Sequence, residues 1–140
     1  MLGVNIWAVL WATLAMYFIG AVWYMGIFAK QWGEMFGFEK LSKEKQKQMQ
    51  KEMMPMMIVQ LVVTALAAFV LAKLIALAPD YSVYKLAGLV WAGFSLPTVV
   101  SSVIFGGVEA KWIRRRICIM ASEALVHFMA AAWVISLIQK

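Results

Sequence analysis

Glu123 and His127 stand four residues apart inside the last long apolar stretch of this chain, and His127 is its only histidine. Residues at i and i+4 share one face of a helix, so a carboxyl and an imidazole at this spacing can hydrogen-bond directly. An ionisable side chain at membrane depth costs roughly 2.5–3.5 kcal/mol on insertion scales, so such residues are paired, turned inward and candidates for a functional site. Three kinds of chemistry fit the pair. It can crosslink helices through Gln60, Thr64, Ser95 or Thr98, or it can hold a proton or a small ligand during membrane transport. Alternatively, His127 can ligate a haem or a chlorophyll axially. Nothing else in the sequence marks a tetrapyrrole pocket, so no cofactor is expected. The sequence also lacks a second histidine, a cysteine pair, an acid cluster and a glycine-rich turn after a strand, so neither a metal site nor an enzyme is expected.

A second polar feature surrounds Pro97. Proline has no N–H for the carbonyl four residues back, here Gly93, and its ring crowds that turn. The segment is therefore expected to bend and to leave the Gly93 carbonyl needing another partner. Trp91, Ser95, Thr98 and Ser102 recur at helical spacing and define the stripe expected to face a polar interior. Gly88, Ala92 and Ser95 form an overlapping small-residue face against which another helix can pack closely.

The elements that must position these residues follow from composition. Of 140 residues, 64% are hydrophobic and 14% charged. The apolar residues gather into four runs, at about 3–28, 53–78, 84–105 and 116–138, and about 20 apolar residues suffice to cross a ~30 Å hydrocarbon core. No alternating pattern of strand length competes with them, so the fold expected is all-α: one domain over residues 1–140, an integral membrane four-helix bundle. The first run lacks a basic leader and is too long for a signal-peptide core, so a retained helix is expected. Cys118 has no partner for an intrachain disulfide and is read as a packing residue.

Ten of the thirteen basic residues fall between the first and second runs or between the third and fourth. The first group is Lys30, Lys40, Lys43, Lys45, Lys47 and Lys51; the second is Lys111, Arg114, Arg115 and Arg116. The positive-inside rule then puts both groups in the cytoplasm and both termini outside, as in a multi-pass protein of the bacterial inner membrane. Anionic lipid headgroups are the natural partners of Lys111, Arg114, Arg115 and Arg116, and Glu109 beside them can help frame a lipid phosphate. No nucleic-acid partner is expected. Between the first two runs, Lys30–Phe38 interleaves aromatics with charges in the manner of a segment lying at the headgroup boundary. Ser42 is placed to cap a polar helix that runs through Pro55 into the second membrane helix, with a kink at the proline.

Gly20-Ala-Val-Trp23-Tyr24 with Phe28-Ala-Lys30-Gln-Trp32, and Trp91-Ala-Gly93-Phe94-Ser-Leu-Pro97, resemble the first-helix and third-helix signatures of the bacterial membrane family catalogued as domain of unknown function 1761. His127 falls where the last helix of that family commonly has a histidine. The resemblance spans nearly the whole chain, except for the lysine- and methionine-rich stretch 43–57. It implies four helices in matching order and transfers no catalytic residue. Two classes of function fit these residues. One is a structural or accessory subunit packed in a homo-oligomer or a larger membrane complex. The other is a minimal oligomeric proton-coupled transporter or small-ligand binder that uses Glu123 and His127.

Overall fold

The computed structural model describes residues 3–139, and every regular element among them is helical. In chain order these are α1 (Ile6–Val22), a π-helical turn (Trp23–Ile27), α2 (Ala29–Phe36), a 3₁₀ turn (Phe38–Lys40) and α3 (Lys43–Leu77). There follow α4 (Val83–Val90), a second π-helical turn (Trp91–Ser95), α5 (Leu96–Phe105) and α6 (Ala110–Ile138). Four stretches are long and apolar enough to cross a membrane: Ile6–Ile27, Lys43–Leu77, Val83–Phe105 and Ala110–Ile138. At 1.5 Å per residue even the shortest spans about 33 Å.

Local chemistry sets the helix ends. Asn5, Ser42 and Ser82 accept hydrogen bonds from the backbone N–H groups of Trp7, Lys45 and Lys85 and so cap α1, α3 and α4. Glycine ends α2, where Gly37 adopts φ 63° and its N–H reaches back to the Glu34 carbonyl. The turn after α5 uses two glycines for different reasons. A Cβ on Gly106 would clash with the Ser102 carbonyl oxygen, and Gly107 has φ 71°. The helix from Ser42 runs unbroken through Pro55, as the sequence suggests. The last helix, in contrast, starts at Ala110 rather than near 116, so Lys111 and Arg114–Arg116 are helical and the connection shrinks to residues 106–109.

The four long stretches alternate in direction, and α6 is the central helix. It packs along α1, α4 and α5, while α1 also packs on α3. The core is built of small and branched side chains: Ala8, Val9, Ala12 and Met16 of α1, Ala68, Leu71 and Ala72 of α3, Ala87 of α4, and Phe128, Ala131, Ala132 and Ile135 of α6. Alanine at successive turns of both α1 and α6 lets the two backbones approach closely. On α3 only Thr64, Ala68, Leu71 and Ala72 are buried, a single stripe at helical spacing. Many of the other apolar side chains point outward, including Trp7, Trp11 and Phe18 of α1, Ile58, Val62 and Leu66 of α3, and Phe94 and Phe105 of the third stretch.

Hydrogen bonds at both ends fix the register of α1 against α6. Asn5 donates to the Ile138 carbonyl at one end, and at the other the Trp23 indole donates to that of Ile119. The two ends of the chain therefore share one end of the bundle, and all ten of the basic residues named above gather toward the other. There α2 lies against the start of α6. Glu34 pairs with Arg115 at 2.8 Å, and the Arg116 guanidinium sits over Trp32 and Phe36 at 5.5 and 5.2 Å from their ring centres.

Candidate functional site

Glu123 and His127 face the interior from the middle of α6. Their Oε1 and Nδ1 atoms are 2.9 Å apart, and the side chains are 11% and 19% exposed. At that distance one proton lies between them: a carboxylate accepts from the imidazole N–H, or a carboxylic acid donates to the ring nitrogen. Either arrangement commits Nδ1 to the glutamate and leaves Nε2 as the ring atom available to another group. The opposite wall is Gly20 of α1, where a Cβ would stand 3.5 Å from Glu123 Oε1. A Cβ there would make ordinary contact with the carboxyl group.

Two tryptophans brace α6 one turn earlier, and both come from π-helical turns. The Trp23 indole N–H donates to the Ile119 carbonyl at 3.1 Å, and that of Trp91 donates to the Ala121 carbonyl at 2.8 Å. In a π turn the N–H bonds five residues back, as from Phe28 to Trp23 and from Leu96 to Trp91. Such a turn holds one residue more than an α turn, and it is often found at functional sites. Pro97 accounts for the second of them, since it cannot supply the α-helical bond to Gly93. The interruption expected at Pro97 is thus present, in the form of a π turn.

Tyr24 and Arg116 extend the site toward the basic end. Tyr24 is half-buried, stacks on Trp32 with ring centres 4.6 Å apart, and lies within electrostatic reach of both Glu123 and Arg116. Arg116 Nε is buried without a hydrogen-bond partner.

The other residues singled out from the sequence lie elsewhere. Gln60 is exposed on α3, and its amide bonds to Thr64, whose hydroxyl returns to the Gln60 carbonyl. Gly93, Thr98 and Ser102 are exposed, and Ser95 is half-buried. The Thr98 and Ser102 hydroxyls donate to the carbonyls of Phe94 and Val99 on their own helix. The stripe expected to line a polar interior therefore turns outward, because only its first member, Trp91, reaches α6. Ala92 is exposed as well, whereas a Cβ on Gly88 would meet Met129 of α6 at ordinary contact distance. Cys118 is exposed on α6 rather than packed. Glu109 pairs with Lys111, not with the arginines. Arg115 and Arg116 are directed to α2, and Arg114 is exposed.

Tyr24 is the site residue that sequence reasoning missed, and Arg116, expected at lipid headgroups, turns toward α2 beside it. The signals were present: Tyr24 is one helical turn after Gly20, and Arg116 is two turns before Glu123 on the same face. Both π turns also begin with tryptophan and carry glycine within the next three residues, Trp-Tyr-Met-Gly and Trp-Ala-Gly.

These braces lie within the two segments that carry the family resemblance. No curated protein and no solved structure matches the chain. A family model described as protein of unknown function (DUF1761) matches residues 7–136, nearly the full length, and the chain belongs to that family.

Proposed function

We propose that this is a multi-pass protein of the bacterial inner membrane, acting as a structural or accessory subunit within a homo-oligomer or a larger membrane complex. The observation that carries the reading is the inverted distribution of apolar side chains. In the third stretch, Val83–Phe105, only 6% of the most apolar window is buried, and α3 hides little more than a single stripe. In water this surface would be strongly unfavourable at roughly 25 cal/mol per Å², whereas lipid tails or the apolar face of a neighbouring subunit solvate it. The basic end faces the cytoplasm in this reading, and the exposed Arg114 together with Lys111 attracts anionic headgroups.

An accessory role is favoured over a pore because the interior narrows to apolar contacts beyond His127. Ala131, Ala132 and Ile135 of α6 are 0% exposed against α1 and α3. A proton-coupled transporter assembled from several copies is the second reading, favoured by the glutamate–histidine pair itself. Native mass spectrometry and crosslinking in nanodiscs, combined with pH-gradient flux into vesicles, separate the two. The accessory reading expects oligomers or a stable complex and no flux. Flux that disappears in Glu123→Gln while assembly persists would overturn it in favour of transport.

A further inference from the structure

Arg116, Glu123 and His127 are spaced by seven and four residues and so lie on one face of α6, running from the basic end of the bundle to its middle. Tyr24 enters the same line from the π turn that ends the first stretch. Its ring shares the Trp32 platform with the Arg116 guanidinium, and a Cβ on Gly20, one turn before it, would lie 3.5 Å from Glu123 Oε1. Tyr24 therefore lies within electrostatic reach of both the arginine and the carboxyl group. The line ends abruptly at His127. Between that residue and the chain ends, Ala12, Leu71, Phe128, Ala131 and Ile135 fill most of the interior, the buried Thr13 hydroxyl bonds to its own helix, and Gln139 Oε1 is buried without a partner at the far end. Within the polar half, Arg116 Nε is a buried donor with no acceptor in the protein. Leaving such a group unmatched costs about 1–3 kcal/mol, and a buried water bonded to several polar neighbours is the usual remedy.

We propose that Arg116, Tyr24 and Glu123 hold a short file of water through which the Glu123–His127 pair exchanges protons with the basic end of the bundle alone. The proposal rests on the reading that the four long stretches span a membrane. The proton balance is simple. A proton leaves a hydronium ion or buffer acid at the basic face, and one proton arrives on the imidazole. A carboxylate beside a neutral imidazole becomes a carboxylate beside an imidazolium, and the pair passes from one negative charge to none. The reverse step returns the proton to the same side, and nothing crosses to the other. Tyr24, on the first stretch, is within electrostatic reach of Glu123, and Arg116 lies two turns from it on α6; the buried residues of α3, α4 and α5 include no titratable group. The chain would thus register the pH of one compartment without conducting across the bundle.

Because the chain has one histidine, its ring nitrogens can be followed directly. Protein labelled with ¹⁵N-histidine is reconstituted into phosphatidylcholine vesicles, and its orientation is determined from trypsin access to Lys43–Lys51. The internal and external pH are set independently between about 5 and 8, the range in which histidine can change charge. The His127 signal is expected to follow the pH on the basic side and to ignore the other. In Tyr24→Phe, which keeps the stack on Trp32 but loses the hydroxyl, the prompt response is expected to disappear while thermal stability is retained. A signal that follows both sides, follows only the terminal side, or follows neither would overturn the proposal, as would an unchanged response in Tyr24→Phe. Protein that fails to float with the vesicles would overturn the membrane reading as well, so the two failures are distinguishable.

Discussion

Removing one member of the glutamate–histidine pair strands the other among apolar neighbours, so each single alanine variant should cost more than an intact pair contributes. Glu123→Ala and His127→Ala are each expected to lower stability by about 2–4 kcal/mol, and the double variant by less than their sum, with a coupling of about 0.5–3 kcal/mol. Thermal or denaturant unfolding in detergent checks this, and strict additivity would show that the 2.9 Å contact is energetically silent. Gly20 gives an independent probe of the same spot. A Cβ there meets Glu123 Oε1 at ordinary contact distance, so Gly20→Ala should be tolerated within about 1 kcal/mol. Gly20→Leu should force α1 away from the carboxyl group and cost about 1–3 kcal/mol by overpacking. The pair itself is legible in the sequence, since an acid and a histidine at i and i+4 in an apolar run have few places to go. Tyr24 is harder to read, because it joins the site only through the register of α1 against α6.

At the scale of elements, four apolar stretches are readable from length alone, and the capping serine at 42 is readable from its residue type. What escapes is rotation. Trp91, Ser95, Thr98 and Ser102 do share a stripe, but periodicity cannot say which way a stripe faces, and hydroxyls that bond to their own helix need no polar interior. The π turns escape for a related reason, since one added residue changes the azimuth of everything beyond it and leaves composition untouched. Their function is testable through the indoles they place. Trp91→Phe removes the bond to the Ala121 carbonyl while preserving most of the ring, and should lower stability by about 0.5–1.5 kcal/mol in an unfolding measurement. The docking of α2 depends on Trp32 more than on the exposed ion pair, because Trp32 stacks with Tyr24, Phe36 and Arg116 at once. Limited trypsin digestion should therefore cut at Lys30 and Lys40 faster in Trp32→Ala, and hardly faster in Glu34→Gln.

For the molecule as a whole, the bundle separates ten of its thirteen basic residues from its chain ends, and in the proposed membrane reading the positive-inside rule turns that polarity into an orientation. With Cys118→Ala as background, a membrane-impermeant thiol reagent applied to intact cells should label Ser82→Cys and spare Ser42→Cys. The reverse pattern would invert the orientation. Relative sidedness is legible from the sequence because each apolar run reverses the direction of the chain and the lysines mark alternate connections. The central position of α6 is not, since all four stretches are similarly apolar and only the packing of alanines against α1 singles one out.

The hydrogen bond from Asn5 to the Ile138 carbonyl brings the two ends of the chain within a few residues of each other. The order in which the helices follow one another along the polypeptide is therefore separable from their arrangement in space. A short flexible linker could join the present ends, and new ends could be opened in the tight connection at 106–109 without displacing any helix. Such a circular permutant would begin with α6 and carry both new termini at the basic end; if the proposed membrane reading holds, a reporter fused to either is expected in the opposite compartment from one fused to the parent chain.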